Sequence, residues 1–328
     1  MLRIDHLTKR FGALKAVDDL SFSVRPGRVT GFLGPNGAGK TTTLRIALGL
    51  VQANAGSVTF DGQPYRRLVR PGRQVGASLE ASSFHPGRSA LDHLRDLAPV
   101  VGVPDRRCAQ VLELVGLETV AGRRVGQYSL GMRGRLALAG ALLGDPATLL
   151  LDEPTNGLDP EGIAWMRGLL RDLARQGRTV LISSHLLSEV QQSVDDVVII
   201  AHGRLVQAIP LAQLAALDRP HTLVEPARPE PFKELARDLG WGLRETPEGF
   251  EVTGATAAEL GHTCFIAGLE LHQLASSRPA LEATFLALTE GAPTQSDSTQ
   301  SDSTHSESPQ SDQSQSDQTQ SDLRQVGP

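Results

Sequence analysis

The sequence is poor in cysteine, aromatic residues and lysine, and it contains no long apolar run. Its two cysteines, Cys108 and Cys264, lie far apart in a chain of 328 residues, which predicts neither a disulfide framework nor a metal cluster. Only 4 of the 32 basic residues are Lys, a bias that we attribute to genome composition rather than to a nucleic-acid surface. No stretch reaches the roughly 18–20 apolar residues of a membrane span, and the N-terminus lacks a signal-peptide core. We therefore expect a cytoplasmic protein.

A glycine-rich phosphate loop, residues 34–42, is the most informative feature that is present. It reads GPNGAGKTT between an apolar run, Val29 to Leu33, and a helical pattern that begins near Thr41. A strand, a glycine-rich turn and a helix N-terminus in this order direct backbone N–H groups at one point, as a di- or triphosphate requires. Lys40 then carries the charge for the β- and γ-phosphates, and the Thr41 hydroxyl is a predicted Mg²⁺ ligand. The predicted nucleotide contacts are Gly34, Pro35, Asn36, Gly37, Ala38, Gly39, Lys40, Thr41 and Thr42.

Two adjacent acids end a second apolar run, in the segment TLLLDEPTNGLDP that begins at Thr148. The run is typical of a buried parallel strand. Asp152 at the strand end is predicted to hold Mg²⁺, and Glu153 is predicted to accept a proton from the attacking water. A pair of acids can also cap a helix, but the phosphate loop favours the nucleotide interpretation.

Between these motifs the chain reads YSLGMRGRLALAGALLGDP from Tyr128, and here it resembles the ATP-binding subunits of ABC transporters. The signature of that family, usually LSGGQ, corresponds to Ser129-Leu130-Gly131-Met132-Arg133. A Ser N-cap and a Gly at a helix start form a second anion-binding terminus. The resemblance implies that Ser129 and Gly131 contact the γ-phosphate held by the other subunit. Taken alone, the segment is equally compatible with an ordinary capped helix.

Three further positions follow the order of the family's motifs. The resemblance implies that Phe11 stacks on adenine, that Asp159 belongs to the loop that communicates across the dimer, and that His185 contacts the γ-phosphate. A lone Phe or His is more often structural, so the shared order of the motifs carries these assignments. The resemblance covers about residues 2–218.

Two positions depart from the usual family pattern. Glu80 stands where most members have a Gln that touches Mg²⁺, and with the SLGM signature it resembles exporters of the bacitracin-resistance, lantibiotic-immunity and daunorubicin-resistance type. A carboxylate can also bind Mg²⁺, although it adds negative charge near the phosphates. Gly134, inside the predicted signature helix, costs about 1 kcal/mol relative to Ala.

The predicted fold class is α/β: a P-loop NTPase of the ABC ATPase type at residues 1–218, with a helical subdomain at about 85–145. After residue 218 the pattern changes to strand, helix, two short strands, helix and strand, which predicts a small α+β domain of split βαβ type over residues 219–291. We favour a stabilising or dimerising role for this domain over a regulatory ligand site.

The tail, residues 292–328, consists mainly of six pentapeptides such as QSDST. From Gln295 to Asp322 there is no aliphatic or aromatic residue, so nothing is buried to offset the entropy of ordering, and we expect disorder. Neutral repeat expansion with a solubilising effect is favoured over an acidic partner-binding tail.

The function implied by the resemblance is ATP hydrolysis by the nucleotide-binding subunit of an exporter, with ATP and Mg²⁺ as cofactors. Two copies would enclose two ATP molecules, and a membrane permease on a separate chain would attach the subunit to the inner face of the membrane. An ABC-type ATPase acting on DNA or ribosomes is the alternative, but residues 1–291 carry no net positive charge and no nucleic-acid partner is expected. A regulatory protein that binds ATP without turnover is disfavoured by Glu153 and His185.

Overall fold

The computed structural model describes residues 1–79, 84–217, 221–247, 249–277, 285, 288 and 289. Glu80, the tail and most of residues 279–291 lie outside these residues. The strands are β1 (Leu2–Phe11), β2 (Leu14–Val24), β3 (Arg28–Leu33), β4 (Ala55–Phe60), β5 (Val75–Ser78), β6 (Thr148–Asp152), β7 (Thr179–Ser184), β8 (Asp196–Ala201), β9 (Arg204–Pro210), β10 (His221–Pro226), β11 (Gly242–Thr246), β12 (Gly249–Thr253) and β13 (Leu271–Ser277). The helices are α1 (Lys40–Ala47), α2 (Ala90–Val101), α3 (Arg106–Leu114), α4 (Leu130–Leu142), α5 (Pro160–Arg175), α6 (Leu187–Val190), α7 (Leu211–Leu217), α8 (Pro229–Asp238) and α9 (Ala257–Ile266).

The central sheet has six strands in the order β5-β6-β7-β3-β8-β9, and all neighbours are parallel except β8 and β9. The inner strands β6, β7, β3 and β8 are buried on both faces, whereas the edge strand β9 is partly exposed. On β6, Leu149 and Leu151 belong to the core on the helical side, whereas Leu150 belongs to the core shared with α1 and the antiparallel sheet β2-β1-β4. This two-sided burial explains the continuous apolar runs that mark these strands in the sequence.

The carboxyl ends of parallel strands lie at one edge of a sheet, so the residues that follow them meet there. At this edge β3 leads into the phosphate loop, β6 ends in the paired acids and β7 ends just before His185. Helices α2, α3 and α4 occupy the predicted helical region at 85–145.

Residues 221–277 form a separate four-stranded antiparallel sheet in the order β11-β12-β10-β13, with α8 and α9 between its strands along the chain. The elements occur in the predicted order of strand, helix, two strands, helix, strand. A small core of its own, including Phe232, Phe250 and Cys264, supports this sheet. Phe285, which follows it and is 3% exposed, belongs instead to the core on the helical side of the central sheet.

No helix within the described ranges combines the length and the apolar character needed to cross a membrane.

Candidate functional site

The phosphate loop connects the end of β3 to the start of α1 through backbone conformations that glycine permits. Gly37 and Gly39 have φ values of +81° and +102°, in the left-handed region that other residues rarely adopt. A Cβ atom at Gly34 would overlap the Ile200 carbonyl oxygen. No side chain caps the first turn of α1, so its N–H groups are left for an anion.

Lys40, the first residue of α1, folds back over the loop. Its ammonium donates to the carbonyl oxygens of Gly34 at 2.6 Å and Pro35 at 3.2 Å, and Nζ lies 3.7 Å from Glu153 Oε1. Burial lowers the pKa of the Lys40 ammonium from its ordinary value, and the carboxylates of Glu153 and Asp152 offset part of that effect. A buried ammonium beside backbone N–H groups that no side chain caps is suited to a phosphate ligand.

The predicted metal ligands Thr41 and Asp152 lie side by side. Thr41 Oγ1 donates to Asp152 Oδ2 at 2.6 Å, and the hydroxyl of Ser183 donates to Asp152 Oδ1. A hydroxyl and a carboxylate are hard oxygen ligands, and Mg²⁺ typically takes one or two protein oxygens together with phosphate and water. The pair therefore fits Mg²⁺. Glu80, the third predicted ligand, is outside the described residues.

Glu153 and His185 form a second polar pair beside Lys40. His185 Nδ1 lies 2.9 Å from Glu153 Oε2. Glu153 has a φ of +49°, a conformation that costs energy in a residue with a side chain. Its backbone N–H donates to Ser183 Oγ at 2.9 Å, which helps to hold this turn.

Ser183 was not identified from the sequence, although it contacts both predicted acids. It lies at the end of β7, where its Oγ accepts from Glu153 and donates to Asp152. The one available signal was its position in the Ser-Ser-His segment after the apolar run of β7. Ser183 fixes the two carboxylate-bearing residues relative to β7 and therefore relative to His185.

The remaining predicted nucleotide contacts, Ser129, Gly131, Asp159 and Phe11, make no described hydrogen bond with this cluster. Ser129 caps α4, since its hydroxyl accepts from Met132 N at 3.2 Å, and it is exposed to solvent. Asp159 caps α5 by accepting from Gly162 N at 2.8 Å. Phe11, at the end of β1, is 50% exposed, with Lys9 Nζ 4.8 Å from its ring centre. Within the described part of the chain, no hydrogen bond joins Ser129 to the phosphate loop.

Comparison with known proteins relates this arrangement to a family. Residues 17–156 match the family described as ABC transporter. The bacitracin transport ATP-binding protein BcrA of Bacillus licheniformis is 42% identical over 222 residues, which are 67% of this chain and 72% of that protein. The lantibiotic transport ATP-binding protein SrtF of Streptococcus pyogenes is 37% identical over 206 residues, 63% of this chain and 89% of that protein.

One similar protein extends into the C-terminal region. The Nod factor export ATP-binding protein I of Paraburkholderia xenovorans (strain LB400) is 35% identical over 302 residues, 88% of this chain and 96% of that protein. Among solved structures, an ATP-binding subunit of an ABC transporter covers 80% of this chain at a TM-score of 0.59 and 24% identity, with 98% of that chain matched. At that identity the structural match supports the fold alone.

Proposed function

Because this chain belongs to the ABC transporter family of ATP-binding proteins, we propose that it binds and hydrolyses ATP as the nucleotide-binding subunit of an exporter. One observation carries the proposal: Lys40 Nζ lies 3.7 Å from Glu153 Oε1 at the edge where β3, β6 and β7 end. The phosphate-binding Lys40 and the proposed base Glu153 are therefore neighbours, so that binding and hydrolysis would share one site.

The roles proposed for the residues follow from their positions. Lys40 would exchange its contacts with the loop carbonyls for the phosphates, where its charge is better compensated. Glu153 would orient the attacking water and accept its proton, while His185 holds the Glu153 carboxylate and faces the transferred phosphoryl group. Thr41 and Asp152 would hold Mg²⁺, with Glu80 as a further proposed ligand. When bound, Mg²⁺ neutralises charge on the phosphate oxygens.

The proposal includes a second copy of the chain. Ser129 and Gly131 would bind the γ-phosphate held by the phosphate loop of that copy, with Phe11 against the adenine and Asp159 near the contact between copies. The exposure of Ser129 to solvent supports this arrangement. Closure around two ATP molecules and reopening after hydrolysis would move the transporter between its states.

A membrane permease on a separate chain would provide the transport pathway and hold this subunit at the cytoplasmic face of the membrane. The similar proteins named above are ATP-binding proteins of bacitracin transport, lantibiotic transport and Nod factor export. We propose an exported antimicrobial compound as the cargo. Residues 219–291 would form a stabilising or dimerising domain.

The experiment is an ATPase assay of the purified chain, alone and with a membrane permease that co-purifies with it, and a matching assay of Lys40→Ala. We expect activity in the parent, stimulation by the permease and weaker ATP binding in the variant, because a charge that faces the phosphates is lost. A parent chain without ATPase activity, or an unchanged ATP dissociation constant for Lys40→Ala, would contradict the proposal. Sensitivity of cells to bacitracin with and without both genes tests the cargo.

A further inference from the structure

Leu130, the first residue of α4, packs directly on Gly157, which lies between β6 and α5. A Cβ atom at Gly157 would overlap Cγ and Cδ2 of Leu130. Gly157 also has a φ of +78°. The absence of a side chain at Gly157 is therefore required both by its left-handed backbone and by the leucine against it.

The neighbouring backbone makes a second contact between the same two segments. A Cβ atom at Gly131 would lie 3.1 Å from the Gly157 carbonyl oxygen and 3.4 Å from Leu158 Cδ2. The signature turn, residues 129–131, and the linking loop, residues 153–159, thus touch at two adjacent points. Close packing of this kind transmits a displacement of one segment to the other.

The linking loop begins at Glu153 and is held by short-range hydrogen bonds. Asn156 N donates to the Glu153 carbonyl at 3.2 Å, and Leu158 N donates to the Thr155 carbonyl at 3.1 Å. Only three residues separate Glu153 from Gly157, so a displacement at Gly157 reaches the backbone that carries the proposed base. The side chain of Glu153 needs correct placement because a general base acts only within hydrogen-bond reach of the proton.

Leu130 is not enclosed on all sides. It is 56% exposed, and with Gly134 and Glu153 it lines a cavity of about 360 Å³. A Cβ atom at Gly134, one turn further along α4, would meet no atom within 4 Å. The described packing of Leu130 on the linking loop therefore leaves more than half of this side chain accessible beside the signature turn.

We propose that Leu130 is a positioning residue. Through its contact with Gly157 it fixes the position of Glu153 relative to the signature turn of the same chain. A nucleotide bound against Ser129 and Gly131 then sets the position of the base that acts on the other nucleotide. This inference rests on the proposed function, in which the signature turn binds the ATP of a second copy. Leu130 would thus couple nucleotide binding at one ATP site to hydrolysis at the other.

The test is a double-mutant cycle on the full chain, with Leu130→Gly, Gly157→Ala and the double variant. The backbone strain caused by Gly157→Ala is the same in the parent and in the Leu130→Gly background, so it cancels when the two effects are compared. The coupling energy that remains measures the contact between position 157 and Leu130. We expect Gly157→Ala to lower kcat by about tenfold more in the parent than in the Leu130→Gly background, a ratio that corresponds to about 1.4 kcal/mol.

Single variants separate positioning from mere stability. Leu130→Gly and Leu130→Ala should lower kcat and the Hill coefficient for ATP while leaving the ATP dissociation constant and Tm near those of the parent, and Leu130→Met should restore turnover. Leu114→Ala, at an exposed leucine at the end of α3, is the matched control and should change none of these quantities.

Additive effects in the cycle, or a loss of kcat that merely follows a fall in Tm, would overturn the inference. If the parent hydrolyses ATP and Glu153→Gln does not, while the cycle is additive, the proposed function stands and only the role of Leu130 fails. A parent without ATPase activity would overturn both.

Discussion

At the scale of single residues, binding and chemistry are assigned to different side chains that lie within one cluster. Lys40 is buried beneath the phosphate loop, whereas Glu153 is tied to His185 and, through its backbone, to Ser183. The hydrogen bonds of Ser183 restrain Asp152 and Glu153. The position of the proposed base therefore depends on a residue that has no proposed chemical role. Substitutions in the cluster should therefore separate affinity from turnover.

Glu153→Gln should keep ATP affinity near that of the parent and lower kcat by roughly 10²–10⁴-fold, because the amide preserves shape but is not a base. Without hydrolysis, ATP should trap a closed dimer. Nucleotide titration, an ATPase assay and size-exclusion chromatography with ATP measure the three effects. The control is Glu161→Gln, the same substitution at an exposed acid in the first turn of α5. Near-normal hydrolysis by Glu153→Gln would remove Glu153 from its role.

The lowered pKa of Lys40 predicts a pH dependence of ATP binding. Phosphates favour the charged ammonium and raise its pKa in the complex, so binding takes up a proton above the pKa of the free protein. Affinity should be full below that pKa and should fall by up to about tenfold per pH unit as the pH rises between the free and bound values. The dissociation constant of a fluorescent ATP analogue, measured from neutral pH to about pH 10, tests this.

Lys40→Arg is the control for this titration, since a guanidinium stays charged throughout the range. Its ATP affinity, even if lower overall, should lack the alkaline decrease. Equal pH slopes for the parent and Lys40→Arg would show that another group titrates.

At the scale of elements, the signature helix α4 contains a glycine for which local structure gives no steric reason. Gly134 lies in the second turn of α4, and a Cβ atom there would meet nothing within 4 Å. Gly168 has the same freedom in the middle of α5. The two positions form a matched pair, one beside the cavity next to Glu153 and one outside its lining.

Gly134→Ala and Gly168→Ala should each stabilise the protein by up to about 1 kcal/mol, because Ala loses less backbone entropy in a helix. Urea unfolding followed by circular dichroism measures the change. ATPase activity should be retained in both variants. Destabilisation by Gly134→Ala would mean that the helix needs flexibility at this turn, and a loss of activity confined to Gly134→Ala would assign the cavity a role in turnover.

At the scale of the whole molecule, the chain beyond the small sheet contributes to the core of the N-terminal region. Phe285 is 3% exposed and belongs to the same core as Leu149 and Leu151 of β6. Phe265, at the end of α9, is 82% exposed. The two phenylalanines therefore allow a comparison of equal substitutions at buried and exposed positions.

Phe285→Ala should lower the free energy of unfolding by about 3–5 kcal/mol, since it removes a buried ring and leaves a cavity. Phe265→Ala should change it by less than about 0.5 kcal/mol. Thermal unfolding of the full chain with each substitution measures both. Similar effects of the two substitutions would show that Phe285 does not stabilise the N-terminal region.

The sequence by itself determined the features that depend on local order along the chain. Strand, glycine-rich turn and helix must follow one another to form the phosphate loop. A strand covered on both faces must be largely apolar, so the sequence predicted β3, β6 and β7. Because parallel strands end at one edge, the proximity of Lys40, Asp152, Glu153 and His185 was also predictable from the sequence.

Only the tertiary structure decided the contacts between side chains that neither a hydrophobic periodicity nor a sequence motif connects. The hydrogen bonds of Ser183 to the paired acids, the packing of Leu130 on Gly157 and the burial of Phe285 join residues far apart in the chain. A serine, a leucine and a phenylalanine are ordinary residues in any sequence, and their contacts depend on how whole elements pack. The physical reason is that through-space packing at long sequence separation leaves no repeating pattern along the chain.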